Sequence, residues 1–308
     1  MDDPILVINS YIVVAEILLF NILGVFGNIH LLWITARKKI THTNQGILLA
    51  INAFMHLICL LYELPNAAFL ITGTMLTRRQ CYHILGLYIF AINMQVIVAL
   101  GIAIDLFIAL FFPVKYRTCR TTVFVMFFMV LGSIFSLTIV VWGWIVRNDE
   151  VIPFCNPPLA LVPEFRQIWA IANVTINCVI LAVYAAIIAH LKFRGLKALP
   201  AHEGKEKRRA IRRLKVIMLV FICSWFLAIL GVNIGQAIGL SPKLMEVWQS
   251  NMVLPAMLCY SQAFYVCIWR SSEYRSAFKE QMAMMFCRRT KTNCLTVSAA
   301  HSIATSTR

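Results

Sequence analysis

The sequence predicts an all-α membrane protein, a seven-transmembrane-helix bundle followed by an amphipathic eighth helix, and three observations lead there. Hydrophobic residues make up 60% of the chain, charged residues 13%, and the mean hydropathy is +0.78; soluble domains carry about 25% charged residues. The apolar residues fall into runs of about 20, each long enough to cross a hydrocarbon core about 30 Å thick. The basic residues alternate with those runs. If the chain starts outside and crosses seven times, Lys/Arg 78, 79, 147, 166 and 243 face outward, and the other 23 of the 28 collect on inner loops and the tail. Membrane helices are oriented by that asymmetry. It predicts a multi-pass protein of the plasma membrane with an extracellular N-terminus and a cytoplasmic C-terminus. It also argues against a nucleic-acid partner, despite a net charge of +15.

Residues 1–10 read as a short extracellular N-terminus without a signal-peptide pattern, 11–270 as the seven-span domain, 271–287 as an amphipathic surface helix and 288–308 as a disordered cytoplasmic tail. Span one, Tyr11 to Thr35, carries Gly24, Gly27 and Asn28. An amide at that depth needs a partner on a neighbouring helix, because lipid offers none. Span two, Gln45 to Leu70, places Asn52, His56 and Glu63 at offsets of four and seven, on one helical face. That face turns into the bundle, since a charge facing lipid costs about 2.5–3.5 kcal/mol. A structural hydrogen-bond network and a role in ion, proton or ligand response both fit it.

Span three runs from Cys81 to Asp105. Those 24 residues cover about 36 Å at 1.5 Å each, so a cysteine at one interface implies the acid at the other. Span four, Val123 to Val146, ends in Trp142 and Trp144, the residues of an interfacial belt. The following outer loop, Arg147 to Pro163, holds Cys155. Cys81 and Cys155 are the cysteines plainly on the oxidising side, so they are expected to form a disulfide. Span five covers Glu164 to Leu191. The basic stretch from Lys192 to Lys215, with Arg208, Arg209 and Arg212, suits a topology anchor, anionic lipid or a cytosolic partner with an acidic groove. Span six, Leu214 to Ile238, stacks Phe221 and Trp225 at i and i+4. Span seven, Met245 to Arg270, contains Pro255, which removes a backbone bond and kinks it. Tyr274, Phe278 and Met282 then give the surface helix its apolar stripe, and Cys287 beside it is a candidate for palmitoylation.

Nothing points to an enzyme or a cofactor. Metal-ligand spacing, a Gly-rich phosphate loop and a nucleophile elbow are all lacking. A transporter would show internal repeats and paired broken helices, and a retinal protein needs a lysine in span seven, where Met245 to Trp269 has none.

Gly27-Asn28, Cys81 with Asp105, Pro113 and Tyr116 beyond it, then Cys155, Tyr184, Phe221 and Trp225, form an ordered set. This set resembles class A, rhodopsin-like G-protein-coupled receptors. A closer resemblance, to the nematode serpentine receptors of class SX, rests on Tyr62-Glu63-Leu64, Thr72-Gly73, Arg79-Gln80-Cys81, Tyr88-Ile89-Phe90, Phe154-Cys155-Asn156-Pro157-Pro158, Ser224-Trp225-Phe226 and the run from Arg270 to Phe278. The resemblance implies an orphan-type chemoreceptor that binds an extracellular small molecule or peptide and signals to a heterotrimeric G protein. It assigns switch roles to Asn28, His56, Asp105, Leu106, Tyr184, Phe221 and Trp225, and G-protein contact to Leu106, Pro113, Lys115, Tyr116, Arg208, Arg209 and Arg212. Helical position and depth suggest Tyr88, Ile92, Asn93, Asn173, Asn177 and Gln236 for a ligand cavity, with ordinary interhelical hydrogen bonding as the competing role for each.

The chain also departs from the family pattern. His56 replaces the usual acid of span two, Ile176 and Leu227 stand where prolines are common, and the span-seven Asn-Pro-x-x-Tyr motif is degraded. Leu106 follows Asp105 where arginine is usual and has no donor to offer. A receptor-like binding or scaffold protein that no longer couples is the alternative this raises. Tyr88 occupies the position at which aminergic members carry an aspartate, which disfavours a biogenic amine.

Overall fold

A computed structural model describes residues 4–118, 120–152, 154–195, 220, 224 and 227–286. Helix α1 spans Pro4–Arg37, and a 3-10 turn over Lys39–Thr41 leads into α2, Asn44–Thr72. Strand β1, Leu76–Thr77, precedes α3, Arg78–Phe111; then come α4, Pro113–Thr118, and α5, Thr121–Val146. Strand β2, Val151–Ile152, and α6, Pro157–Ala160, precede α7, Pro163–Gly195. Later elements are α8, Leu227–Ala237, α9, Pro242–Asn251, α10, Val253–Arg270, and α11, Ser272–Phe286. Six helical stretches among the described residues are long and apolar enough to cross a membrane, Lys243–Arg270 counting as one. They match the predicted spans one to five and seven; α8 lies within predicted span six. Helix α1 starts seven residues before the predicted edge of its span.

The helix ends follow local chemistry. The Thr43 hydroxyl accepts from Gly46 N at the start of α2, and Gly73 ends that helix at φ 64°, a left-handed conformation that costs glycine little. Thr77 and Gln80 cap α3 reciprocally, each side chain accepting the other's backbone N–H. Pro65 is absorbed inside α2 without a break. Pro255 acts differently. Lacking an N–H, it releases the carbonyl of Asn251 four residues back, and the helical run is interrupted there, at Met252, between α9 and α10.

Within residues 1–265, α3 is the axis. It has the largest buried share of any candidate span, and α2, α5 and α7 all pack on it, with α1 against α2. Close approach of α1 to α2 and α10 depends on glycine: a Cβ on Gly24 would meet Leu60 Cδ1 at 2.7 Å, and one on Gly27 would meet Phe264 Cβ at 2.9 Å. The outward surfaces are apolar, including Leu19, Ile22, Phe127, Ile134 and Val141, as a lipid solvent permits and water would not. Trp142 and Trp144 are half-exposed at the end of α5, and the Arg147 guanidinium lies 3.5 Å from the Trp144 ring centre.

The described residues from 266 onward form a second unit. In it, Arg275 Nε and Nη2 donate to the carbonyls of Ile268 and Trp269 at 3.1 and 2.8 Å, which satisfies the last turn of α10 before α11 begins. The predicted surface helix thus has its counterpart in α11, while Cys287 and the tail lie outside the described residues.

Candidate functional site

Cys81 and Cys155 form a disulfide, their Cα atoms 5.5 Å apart, as the topology predicts. It has local support. β1 and β2 pair antiparallel, Leu76 opposite Ile152 and Thr77 opposite Val151. Arg78, nearly buried, donates from Nη1 to Asn148 Oδ1 and Glu150 Oε2, each at 2.6 Å, and from Nε to the Leu159 carbonyl at 3.1 Å. One guanidinium therefore holds three points of the loop, which its planar fork suits. Arg79 pairs with Asp149 at 2.9 Å.

Glu150 is exposed, and Arg78, by hydrogen bonding first and charge second, holds its carboxyl below the usual glutamate value. A depressed acid stabilises the fold above its unfolded value and loses that contribution as pH falls through the folded one. Lowering pH from about 6 to about 3 is expected to loosen the loop. The readout is amide exchange at residues 148–152, corrected for intrinsic rates. Glu150→Gln should reduce the pH response while leaving the Asp149 pair with Arg79 in place, and an unchanged response would refute the pairing.

Under this loop lies a cavity of about 70 Å³. Its wall combines Glu63 and Asn66 of α2, Tyr88 and Ile92 of α3, Phe154, Asn156, Pro157 and Pro158 of the loop and α6, Trp169 of α7, Ala228 of α8, and Met252, Val253 and Tyr260 around the break between α9 and α10. Tyr88 donates its hydroxyl to Glu63 Oε1, and Asn66 Nδ2 donates to Glu63 Oε2 at 2.9 Å. The Tyr260 hydroxyl is 3.2 Å from that of Tyr88. Below the wall, Asn52 Nδ2 meets His56 Nε2 at 3.2 Å, and the His56 ring is 5.7 Å from that of Tyr260. The polar face predicted for span two does turn inward.

Of the residues predicted for this cavity, Tyr88 and Ile92 line it. Asn93, Asn173 and Asn177 are fully buried behind it. Asn93 Oδ1 accepts from Trp169 Nε1 at 2.9 Å and from Asn173 Nδ2 at 3.4 Å, while Asn177 Nδ2 donates to the Asn173 carbonyl at 2.7 Å. These amides join α3 to α7, and the indole they hold lines the cavity in their stead. The side chain of Gln236 lies outside the described residues, as do Phe221, Trp225, Arg208, Arg209 and Arg212. Asn66, Trp169 and Tyr260 are missing from the predicted set; Tyr260 stands in span seven beside Ser261-Gln262, a polar cluster that could have flagged it.

At the far end of α3, Asp105 is 3% exposed. Asn44 Nδ2 donates to its Oδ1 at 2.8 Å and the Tyr116 hydroxyl to its Oδ2 at 3.4 Å. Leu106 packs into the apolar cluster of Ala103, Ile180, Tyr184 and Ile187. Pro113 and Lys115 are exposed on α4. Asn28 Nδ2 donates to the Tyr260 carbonyl at 2.8 Å, tying α1 to α10, and Ser224 Oγ accepts from Gln262 Nε2 at 3.2 Å, tying span six to α10.

A comparison with curated proteins finds no match. The profile of the serpentine type seven-transmembrane G-protein-coupled chemoreceptors, Srsx, matches residues 21–282, which take in the cavity, the disulfide and the Asp105 end. With spans, disulfide and match in agreement over most of its length, the chain belongs to the Srsx family of serpentine chemoreceptors.

Proposed function

We propose that the chain is a plasma-membrane chemoreceptor, N-terminus outside and C-terminus inside, that binds an extracellular small molecule or peptide in the cavity under the disulfide loop and signals to a heterotrimeric G protein. The observation that carries this is the cavity itself, whose wall is assembled from five of the predicted spans and capped by a cross-linked loop. The disulfide supports the orientation, because such bonds persist on the oxidising face of a membrane. Ala228 of α8 and Met252 at the helix break both touch the cavity, and Trp248 Nε1 donates to the Gly231 carbonyl at 2.6 Å between them. A ligand that prefers one arrangement of these elements shifts the resting equilibrium by its differential affinity and no more.

The test is nucleotide exchange on a panel of G proteins, using purified receptor in lipid and a library of candidate ligands. Ligand-dependent exchange is expected. Silence despite proven binding would favour the second reading, a scaffold that binds without coupling, for which the half-buried, donorless Leu106 is the specific observation. Leu106→Arg is expected to raise stimulated exchange by about fivefold or more, the lower range of measured site-to-site couplings. Equal exchange by both receptors would remove Leu106 from the explanation.

A further inference from the structure

The cavity wall is chemically one-sided. Asn66, 3% exposed, turns its amide N–H to Glu63 and leaves Oδ1 buried without a partner. The Tyr88 proton goes to Glu63, and the Tyr260 hydroxyl lies 3.2 Å from that of Tyr88. Trp169 directs its N–H away, to Asn93. What the groups around Glu63 leave over for a ligand is thus an acceptor, Asn66 Oδ1, and ring faces, the Tyr88 and Tyr260 centroids being 6.2 Å apart at 70°. Lys, Arg and His are absent from the wall among the described residues; the amides of Asn156 and Gln249 are neutral. Glu63 itself is 2% exposed. A carboxylate so buried, with no countercharge beside it, is costly, and aromatic faces next to an acid form a cage for a cation. The space exceeds several-fold the roughly 10–15 Å³ that one water needs, enough for a compact head group.

We infer that the cavity takes a small cationic ligand, an ammonium head on an apolar body, held by Glu63 and the free Asn66 Oδ1 against the rings of Tyr88 and Tyr260. The inference rests on the cavity being the ligand site. It also qualifies the expectation drawn from position 88: the aspartate missing there has a counterpart in Glu63, which reaches the same point from α2.

The experiment uses full-length receptor in lipid nanodiscs and three probes of nearly one shape: choline, neutral 3,3-dimethylbutan-1-ol and anionic 3,3-dimethylbutanoate. n-Butylammonium, added as a fourth, distinguishes a primary from a quaternary head. Thermal stabilisation is titrated for each. At least one cation is expected to act at about tenfold lower concentration than the neutral and anionic probes, and Glu63→Gln should erase the difference while Tyr88→Phe reduces it. Charge selectivity in the unmodified receptor tests the inference even where Glu63→Gln fails to fold. Equal or better stabilisation by the neutral or anionic probe, blocked by Ala256→Trp, which fills the cavity from a position in its wall, would overturn the cationic class and leave the cavity as the ligand site. Stabilisation by no probe, or stabilisation that Ala256→Trp leaves intact, would overturn both.

Discussion

Receptor carrying Cys155→Ser is expected to reach the cell surface in a small fraction of the wild-type amount, and the fraction that arrives should bind ligand weakly. The bond joins residues 74 apart, and cross-links of this kind contribute about 2–4 kcal/mol, a large part of a typical folding free energy of about 5–15 kcal/mol. Here the loss also frees the roof of the cavity, since Phe154 and Asn156 flank Cys155 and line the wall. Cys81→Ser should match it. The double variant should be no worse than either single one, because both remove one bond and are non-additive. Surface labelling against total protein measures this. Wild-type surface levels for either single variant would sink the account.

The second large effect is expected at the opposite end of α3. Asn44→Leu removes the shorter of the two hydrogen bonds that Asp105 accepts from Asn44 and Tyr116, a bond between buried groups. Hydrogen bonds to charged partners contribute about 1.5–3 kcal/mol, and a carboxylate stripped of this one must find another arrangement. Lower thermal stability and raised ligand-independent nucleotide exchange should follow together. Tyr116→Phe, which removes the 3.4 Å contact, should do the same in smaller measure. The reverse ranking would show that Tyr116, not Asn44, holds the acid.

Much of this architecture is legible in residue order, and the reason is the solvent. A membrane span must be long, apolar and internally hydrogen-bonded, so Cys81 and Asp105 declare opposite ends of one helix before any coordinates exist, and Cys155 declares its partner. What stays hidden is the rotation of each helix about its axis against its neighbours. Depth alone places Asn93, Asn173 and Asn177 near the cavity, yet their amides meet one another, and the buried Trp169 lines the wall instead. Glu63 stands out as an acid in a span, but its meeting with Tyr88 depends on how α2 and α3 face each other. Asn44 is less legible still. It is the first residue of α2, where a polar side chain is ordinary capping chemistry, and only the packed structure brings it to Asp105.

The interruption at Met252 has a mechanical side. It is a fulcrum set in the wall of the cavity, and the arm below it, from Val253 to Tyr265, is about 20 Å long at 1.5 Å per residue, so a tilt of about 10° displaces the far end by about 3 Å. Tyr265 sits at that end and donates its hydroxyl to the Leu23 carbonyl at 3.0 Å. A displacement of that size breaks the contact. Under the proposed function, a molecule held in the cavity would work a lever whose travel exceeds the reach of the hydrogen bond that moors it.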